Sequence, residues 1–397
     1  MSADHDEPRG PDRCVGPGGR YELLKHHDSG GMGDVWQARD RNLDRVVAVK
    51  FLALARLAGV HPGGEREAEL RALFDRESRT MAQISTPYVA TIHDRHTEEG
   101  DPFLVMEYID GSPLANQLGE SPLPLERTVR WSRQIAEGLA AAHDKDVVHR
   151  DIKPGNILIA HDPGDVRIID FGLARFADST ESHTGAGTPL YTSPERCRFE
   201  SGDERSDLYS LGCVMYEMMT GWPPFGDRKS HPAALARAHQ FRPPTRPGAH
   251  VRGVPGPLDD LVMTLLAKKP AHRPRNAHVV IRAIQEVERA PGVMEQSAPG
   301  SAQRQTPHVN TGFVERIRDT EQRIRRLTLQ LGRQHDEVLK ERADLAALTG
   351  RSGDAWGAAQ LYEKLGNDCG AWFGRQDRRA LDAFEEMVRW IEGRGAN

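Results

Sequence analysis

The sequence predicts an α+β fold in which a β-rich lobe is followed by a helical one, with further helices beyond. Three observations lead there. From Arg20 to about Cys213, short β-rich runs alternate with helical patterns. From about Leu208 onward, helical periodicity dominates. A stretch rich in Pro, Gly, Ser and Gln at 290–312 then separates off a last helical segment, 313–397. The expected organisation is a disordered tail at 1–19, a main domain at 20–289, a flexible linker at 290–312 and a helical segment to the end.

Each element has its own signal. "MSADHDEPRGPDRCVGPGG" is polar and rich in Pro and Gly, the composition of a tail rather than of a secretory signal. "SGGMGDV" (29–35) lies between expected strands at 21–25 and 35–38. "RVVAVKFLAL" (45–54) and "PFLVMEYI" (102–109) read as strands. A helix is expected at about 65–84, where Leu70, Leu73, Glu77, Met81 and Ile84 share one face. "LERTVRWSRQIAEGLAAAHDK" (125–145) suits a long buried helix, and so does "DLYSLGCVMYEMMTG" (207–221), closed by Gly221 and the breaker "WPPFG". Between them, "ILIA" (157–160) and "VRIIDFG" (166–172) are apolar strand signals.

Composition excludes several classes. The 397 residues allow a sizeable core, and 38% hydrophobic with 28% charged is an ordinary soluble balance. A net charge of −5 gives no electrostatic case for a nucleic-acid surface. No stretch approaches ~18 consecutive apolar residues, so no membrane span is expected. Cys14, Cys197, Cys213 and Cys369 lack metal-ligand or disulfide spacing, which points to a reducing cytoplasm. Histidine pairs such as His26–His27 and His93/His96 have no further ligands nearby and read as surface residues.

Polar residues placed at the mouths of apolar strands carry the chemistry. Lys50 shares a strand face with Val46, Ala48 and Leu52, where an unpaired ammonium is costly. Glu77, the one charge on an apolar helical stripe, either reaches solvent from the stripe's edge or pairs with Lys50, the sharper reading, with Lys50 directed onto a phosphate. Glycines at 30, 31 and 33 let backbone N–H groups approach phosphate oxygens. Asp170, at a strand tip beside a glycine, suits a hard cation such as magnesium. "HRDIKPGN" (149–156) concentrates charge immediately before the strand "ILIA".

The glycine loop, "VAVK", the helix Glu, "HRDxxxxN", "DFG" and "GTPLYTSPE" (187–195) occur in order. Over roughly 20–289 the chain thereby resembles the Hanks-type serine/threonine protein kinases, and the bacterial members most closely. The resemblance implies a bilobal protein-kinase fold and transfer of the ATP γ-phosphoryl group to Ser or Thr of proteins and of its own activation loop. It implies ATP with Mg²⁺, or Mn²⁺ in its place. Asp151 would orient the substrate hydroxyl and accept its proton, and Lys153 would neutralise the transferring group, favouring Ser/Thr over Tyr. Asn156 and Asp170 would hold the metal ions. ATP would lie among Ser29, Gly30, Gly31, Met32, Gly33, Val35, Ala48 and Lys50, with Met106 as gatekeeper and Glu107 to Ile109 as the adenine hinge.

The same resemblance implies structural partners. Glu195 should pair with Arg273, and Asp207 should cap the catalytic-loop backbone. Thr188 belongs to the "GTP" of the substrate loop. Arg150 precedes Asp151, the arrangement in which activation-loop phosphorylation organises the site. Ser179, Thr180, Ser182 and Thr184 are the acceptors offered, Thr180 and Thr184 foremost. One departure stands out. The bacterial pattern L-G-x-G-G-M-G reads "HDSGGMG" here, with His27 for the apolar residue and Asp28 for the first glycine, which predicts a weaker hold on ATP. The alternative function is a pseudokinase scaffold acting by protein binding. Such proteins typically lose the lysine, the base or a metal ligand, and this chain keeps all of them.

The helical segment contains an internal echo. "LGRQHDEVL" begins at Leu331 and "FGRQDRRAL" 42 residues later at Phe373. With small Ala346 and Ala358 facing large Leu345, Tyr362 and Leu365, it resembles a tetratricopeptide repeat of the longer, kinesin-light-chain-like kind. A helical hairpin or short coiled coil is the other reading, since Ile317, Ile324 and Leu331 fall at heptad spacing. The resemblance implies recruitment of a protein partner or self-association through 313–397.

Overall fold

The structure is a computed structural model. It describes residues 13–30, 33–52, 65–98, 101–119, 121–171, 189–226, 230–290, 311–351, 355–374 and 376–391. The chain divides into two compact units, Met1–Gln303 and Arg304–Asn397.

The first unit opens with a six-stranded antiparallel sheet, ordered β1-β2-β3-β4-β6-β5. The strands are β1 (Cys14–Val15), β2 (Tyr21–Gly30), β3 (Gly33–Asp40), β4 (Arg45–Leu52), β5 (Ile92–Glu98) and β6 (Asp101–Glu107). Alternation sorts β4 into two faces. Val47, Val49 and Phe51 join Tyr21, Leu23 and Phe103 in one core, while Lys50 and Leu52 lie on the opposite, site-facing side. The sheet curls until its edges meet: the Gly16 N–H donates to Glu98 Oε2 at 3.0 Å, and Arg20 and Tyr21 both reach Asp94.

Over the described residues 13–19 this curl corrects the expected disordered tail; residues 1–12 lie outside the described residues. Cys14 and Val15 pair with Glu22 and Tyr21, and Val15 is buried. The polar composition of the stretch concealed a two-residue strand whose single large apolar side chain completes the core.

Helix α1 (Glu65–Met81) crosses beside the sheet. Its buried residues are Phe74, Ser78 and Met81: Met81 lies on the predicted stripe, while Phe74 and Ser78 stand one position beyond the predicted Leu73 and Glu77. Ser78 belongs there because its hydroxyl donates to the Phe74 carbonyl one turn back and so buries no unpaired donor. Glu77 is thereby rotated toward the edge.

A smaller sheet, ordered β7-β8-β9, lies under the first: β7 (Gly111–Pro113), β8 (Ile157–Ala160) and β9 (Val166–Ile168). It packs on α2 (Leu125–His143), which packs on α3 (Glu204–Thr220). From Ser206 to Thr220 every residue of α3 is buried, as expected of a helix apolar on all sides. Asp203 caps its start, and Gly221, at φ 83°, ends it in the left-handed region. Around α3 stand α4 (Pro232–Phe241), α5 (Pro247–His250), α6 (Gly256–Leu265) and α7 (Ala277–Arg289). A Cβ added at Gly212 would lie 2.8 Å from Leu265, so glycine allows α3 and α6 their close approach.

The second unit is four helices, each packed on the next: α8 (Thr311–Leu331), α9 (Asp336–Arg351), α10 (Ala355–Phe373) and α11 (Arg378–Ile391). Ala346, Ala358, Tyr362, Leu365, Ala383 and Trp390 form its core. Two aromatic rings lie on glycines, Trp390 on Gly350 and Phe384 on Gly366. The echoed "GRQ" stretches have the same local geometry. Gly332 (φ 86°) and Gly374 (φ 105°) each follow the last residue of a helix, with N–H groups bonded back to Thr328 and Gly370, both at 3.1 Å.

Candidate active site

The site lies between the six-stranded sheet and the α2–α3 layer. Strand β4 brings Lys50 down from above, and its ammonium is 2.7 Å from Asp170 Oδ1. This corrects the expected Lys50–Glu77 pair. Glu77 instead approaches Arg76 at 3.2 Å, and Lys50 takes the carboxylate offered by the loop after β9. The one-position rotation of α1 is the physical reason.

Below, the loop 149–156 is held from behind by a buried carboxylate. Asp207, at the start of α3, accepts the N–H groups of His149 (2.8 Å) and Arg150 (2.7 Å) and a bond from His143 Nε2 (2.9 Å). Burial would raise the Asp207 carboxyl, but the His143 bond and the facing N–H groups outweigh it, and its pKa is lowered. These bonds offset backbone strain. Arg150 (φ 68°) and Asp170 (φ 65°) are both left-handed non-glycine residues, each costing on the order of 1–3 kcal/mol. The His149 ring donates to the Ile169 carbonyl at 2.9 Å and stands edge-on to Phe171, tying the loop to the segment that carries Asp170.

With its backbone fixed, the loop converges two side chains on one carboxylate. Asp151 Oδ2 accepts from Lys153 Nζ (2.7 Å) and from Asn156 Nδ2 (3.0 Å), and the same amide nitrogen donates to the Asp151 carbonyl at 2.8 Å. The turn Pro154–Asn156 makes this convergence possible. Asn156 turns its nitrogen toward Asp151, so its oxygen points the other way. That oxygen and the Asp170 carboxylate are both hard-oxygen donors, the kind a magnesium ion prefers.

The rest of the cleft follows from strand register. Val35 opposes Lys50, and Ala48 opposes Met106, which is buried. Met106 lines a cavity with Met81, Ile84, Leu104, Ile168 and Phe171. Glu107, at the end of β6, accepts the Thr91 N–H at 3.2 Å and lies 3.6 Å from Arg167 Nε, so the hinge side chain touches both lobes. At Gly33 (φ 132°) a Cβ would fall 1.8 Å from the Phe51 carbonyl oxygen, and no other residue fits. Ser29 and Gly30 lie in β2, and Tyr108 and Ile109 follow β6.

Gly31, Met32 and the segment 172–188 lie outside the described residues, so Ser179, Thr180, Ser182, Thr184 and Thr188 are not placed. Beyond that segment, Glu195 and Arg273 form a bidentate pair at 2.7 and 2.8 Å, with side chains 4% and 0% exposed. Ser206 Oγ also donates to Glu195, at 2.6 Å. Burial acts to raise the Glu195 carboxyl, yet these bonds bring it down to about 2.

The sequence reading missed His143 and Arg167. His143 was detectable in principle, since it falls at helical spacing from Ile135 and Leu139 on the buried side of α2. Arg167 carried no signal, being one exposed-face position of a short strand.

Comparison with known proteins agrees with this geometry. Residues 21–283 match the family model described as the protein kinase domain. The chain belongs to the protein kinase family. Within it, the domain is that of the bacterial Hanks-type serine/threonine kinases. It is 40% identical over 287 residues to serine/threonine-protein kinase A of Synechocystis, covering 68% of this chain and 53% of that one. It is 39% identical over 269 residues to serine/threonine-protein kinase PknB of Mycobacterium tuberculosis, covering 65% and 41%. The crystal structure of the Mycobacterium tuberculosis PknI kinase domain superposes with a TM-score of 0.52 at 23% identity, over 67% of this chain and 95% of that chain, and bears on the fold alone. The chain spans about half the length of the curated relatives it matches. No helix among the described residues is long and apolar enough to cross a membrane.

Proposed function

We propose that the chain is an active serine/threonine protein kinase that transfers the γ-phosphoryl group of ATP to Ser or Thr hydroxyls of protein substrates and to its own activation loop. The observation that carries this is the convergence of Lys153 and Asn156 on Asp151, within a loop whose backbone Asp207 holds in place. The substrate hydroxyl oxygen attacks the γ-phosphorus while the bond to the β-γ bridging oxygen breaks. ADP leaves, and the hydroxyl proton passes to Asp151 and then to solvent. Lys153 lies beside that carboxylate, where it orients it and neutralises charge on the phosphoryl group. Asn156 and Asp170 would hold Mg²⁺, which supplies charge neutralisation to the phosphates. Lys50, now held by Asp170, is the cation that would bind phosphate. The pseudokinase alternative has no observation in its favour, because Lys50, Asp151, Asn156 and Asp170 are all present and gathered in one cleft.

We further propose that the catalytic domain ends near 289, with its expected start at 20 moved back to take in the strand Cys14–Val15, and that 313–397 has a tetratricopeptide-like role in recruiting a protein partner or in self-association. The matched helix ends at Gly332 and Gly374 support the repeat reading. A cytoplasmic location is proposed from the scattered cysteines. The test is incubation with radiolabelled ATP, Mg²⁺ and a generic protein substrate, followed by phosphoamino-acid analysis. Label on Ser and Thr is expected, greatly reduced in Lys50→Met. Label confined to Tyr, or none, overturns the assignment.

A further inference from the structure

Strands β2 and β3 pair throughout their length, but the register slips between His26 and Asp28. Trp36 opposes His26 and Val35 opposes Asp28, so His27 is the extra residue of a bulge. Bulges beside active sites re-aim a side chain away from the ladder's alternation. Here two adjacent histidines part company. The His26 ring packs edge-on against Trp36, 4.9 Å between centroids, with Nε2 3.8 Å from Asp34. His27 reaches across to the hinge instead, its ring centroid 5.8 Å from that of Tyr108 at an interplanar angle of 56°.

The placement is specific. His27 immediately precedes the stretch that runs into the glycine loop, and Tyr108 immediately follows Glu107 at the end of β6. The two rings therefore join the strand above the nucleotide cleft to the hinge behind it, across the cleft's mouth. An aliphatic side chain at 27 could fill space there, but could not make the oriented contact that two rings make.

We propose that the His27–Tyr108 ring pair is a clasp that sets nucleotide affinity by holding the strand before the glycine loop over the hinge. The clasp pre-organises the cleft, so that less ordering remains when the nucleotide enters. It acts on binding and leaves the groups around Asp151 untouched. It also accounts for a chain that lacks the apolar residue and first glycine of the bacterial pattern yet keeps the rest of the site. The proposal rests on the kinase reading, and its test separates the two.

The test measures the dissociation constant for ADP by calorimetry on the full chain, together with KM for ATP and kcat. The variants are His27→Ala, Tyr108→Ala, the double variant and His27→Phe. Each single alanine variant is expected to weaken ADP binding about three- to tenfold, the range for an aromatic contact. Their KM rises in parallel while kcat changes little. The double variant should bind no more weakly than the worse single variant, because either change opens the same clasp. His27→Phe, which keeps a ring, should bind ADP as the wild type does. An unchanged constant in His27→Ala, additive losses in the double variant, or a loss in His27→Phe as large as in His27→Ala overturns the clasp. Wild-type protein that binds ADP but transfers no phosphate overturns the kinase reading instead.

Discussion

The helical lobe and the sheet lobe each bury a cation, and they treat it differently. In the helical lobe Arg273 is saturated: it grips Glu195 with two nitrogens and also donates to the carbonyls of Ala267, Arg205 and Lys268. In the sheet lobe Lys50 is equally buried, but it holds a single carboxylate, Asp170, carried by the loop after β9. A guanidinium with every donor engaged has no reason to move. An ammonium held by one carboxylate that would also suit a metal ion is the cation whose partner the proposed chemistry would take away.

The contrast is broken most sharply by removing one partner on each side. Arg273→Ala leaves a buried carboxylate uncompensated and should cost about 3–5 kcal/mol in urea unfolding. Glu77→Gln, which keeps the size and hydrogen-bonding reach of the side chain, should change stability by no more than about 1 kcal/mol. Its phosphoryl-transfer rate should nevertheless fall about tenfold if Lys50 turns to Glu77 during turnover. A large stability loss in Glu77→Gln, or a small one in Arg273→Ala, would erase the distinction.

Acid should weaken the helical lobe in two steps. Burial pushes the His239 imidazole down to about 3 from an ordinary 6.5, so between those values the unfolded chain binds the proton and the native state does not. Stability therefore falls as pH drops from about 6.5, and the partly buried His250 acts in the same sense. Glu195 has the opposite kind of partner but the same acid sensitivity. Its folded value of about 2 lies below the ordinary 4.5, so its contribution is complete above 4.5 and is lost as pH falls toward 2. Melting temperature against pH should show the first decline in wild type and a flatter profile between 6.5 and 4.5 in His239→Gln.

Much of this was legible in the residues, for physical reasons that can be named. An ammonium in "VVAVKFL" must have a partner, and one is there. The largely apolar run after Asp207 reads as a buried helix, and the kinase resemblance implied that the carboxylate at its head caps the loop backbone, which it does together with a bond to His143. What could not be read depended on small polar groups that the fold neutralises locally. Ser78 looks polar in a periodicity count, yet its bond to Phe74 lets it sit in the core, and that shift turned Glu77 away from Lys50. The tail failed for a similar reason, since two paired residues make no periodic pattern. The bulge at His27 depends on pairing with β3, which no local signal announces.

The smallest expected effect concerns Asp28. A carboxylate ~7 Å from a phosphate charge, at an effective dielectric of ~40, opposes binding by about 1 kcal/mol. Asp28→Gly should lower KM for ATP several-fold with little change in kcat, measured by initial rates across ATP concentration. An unchanged or raised KM would show that the residue at this position is silent.

The most direct measurement is single-turnover phosphoryl transfer by Asp151→Asn, with ADP binding recorded on the same protein. Asparagine keeps the shape and hydrogen-bonding reach of the side chain but cannot take up the hydroxyl proton. The expected result is a dissociation constant for ADP close to wild type and no transfer to Ser or Thr. Transfer at the wild-type rate, with ADP binding intact, would contradict the assignment of Asp151 and with it the chemistry proposed for the loop.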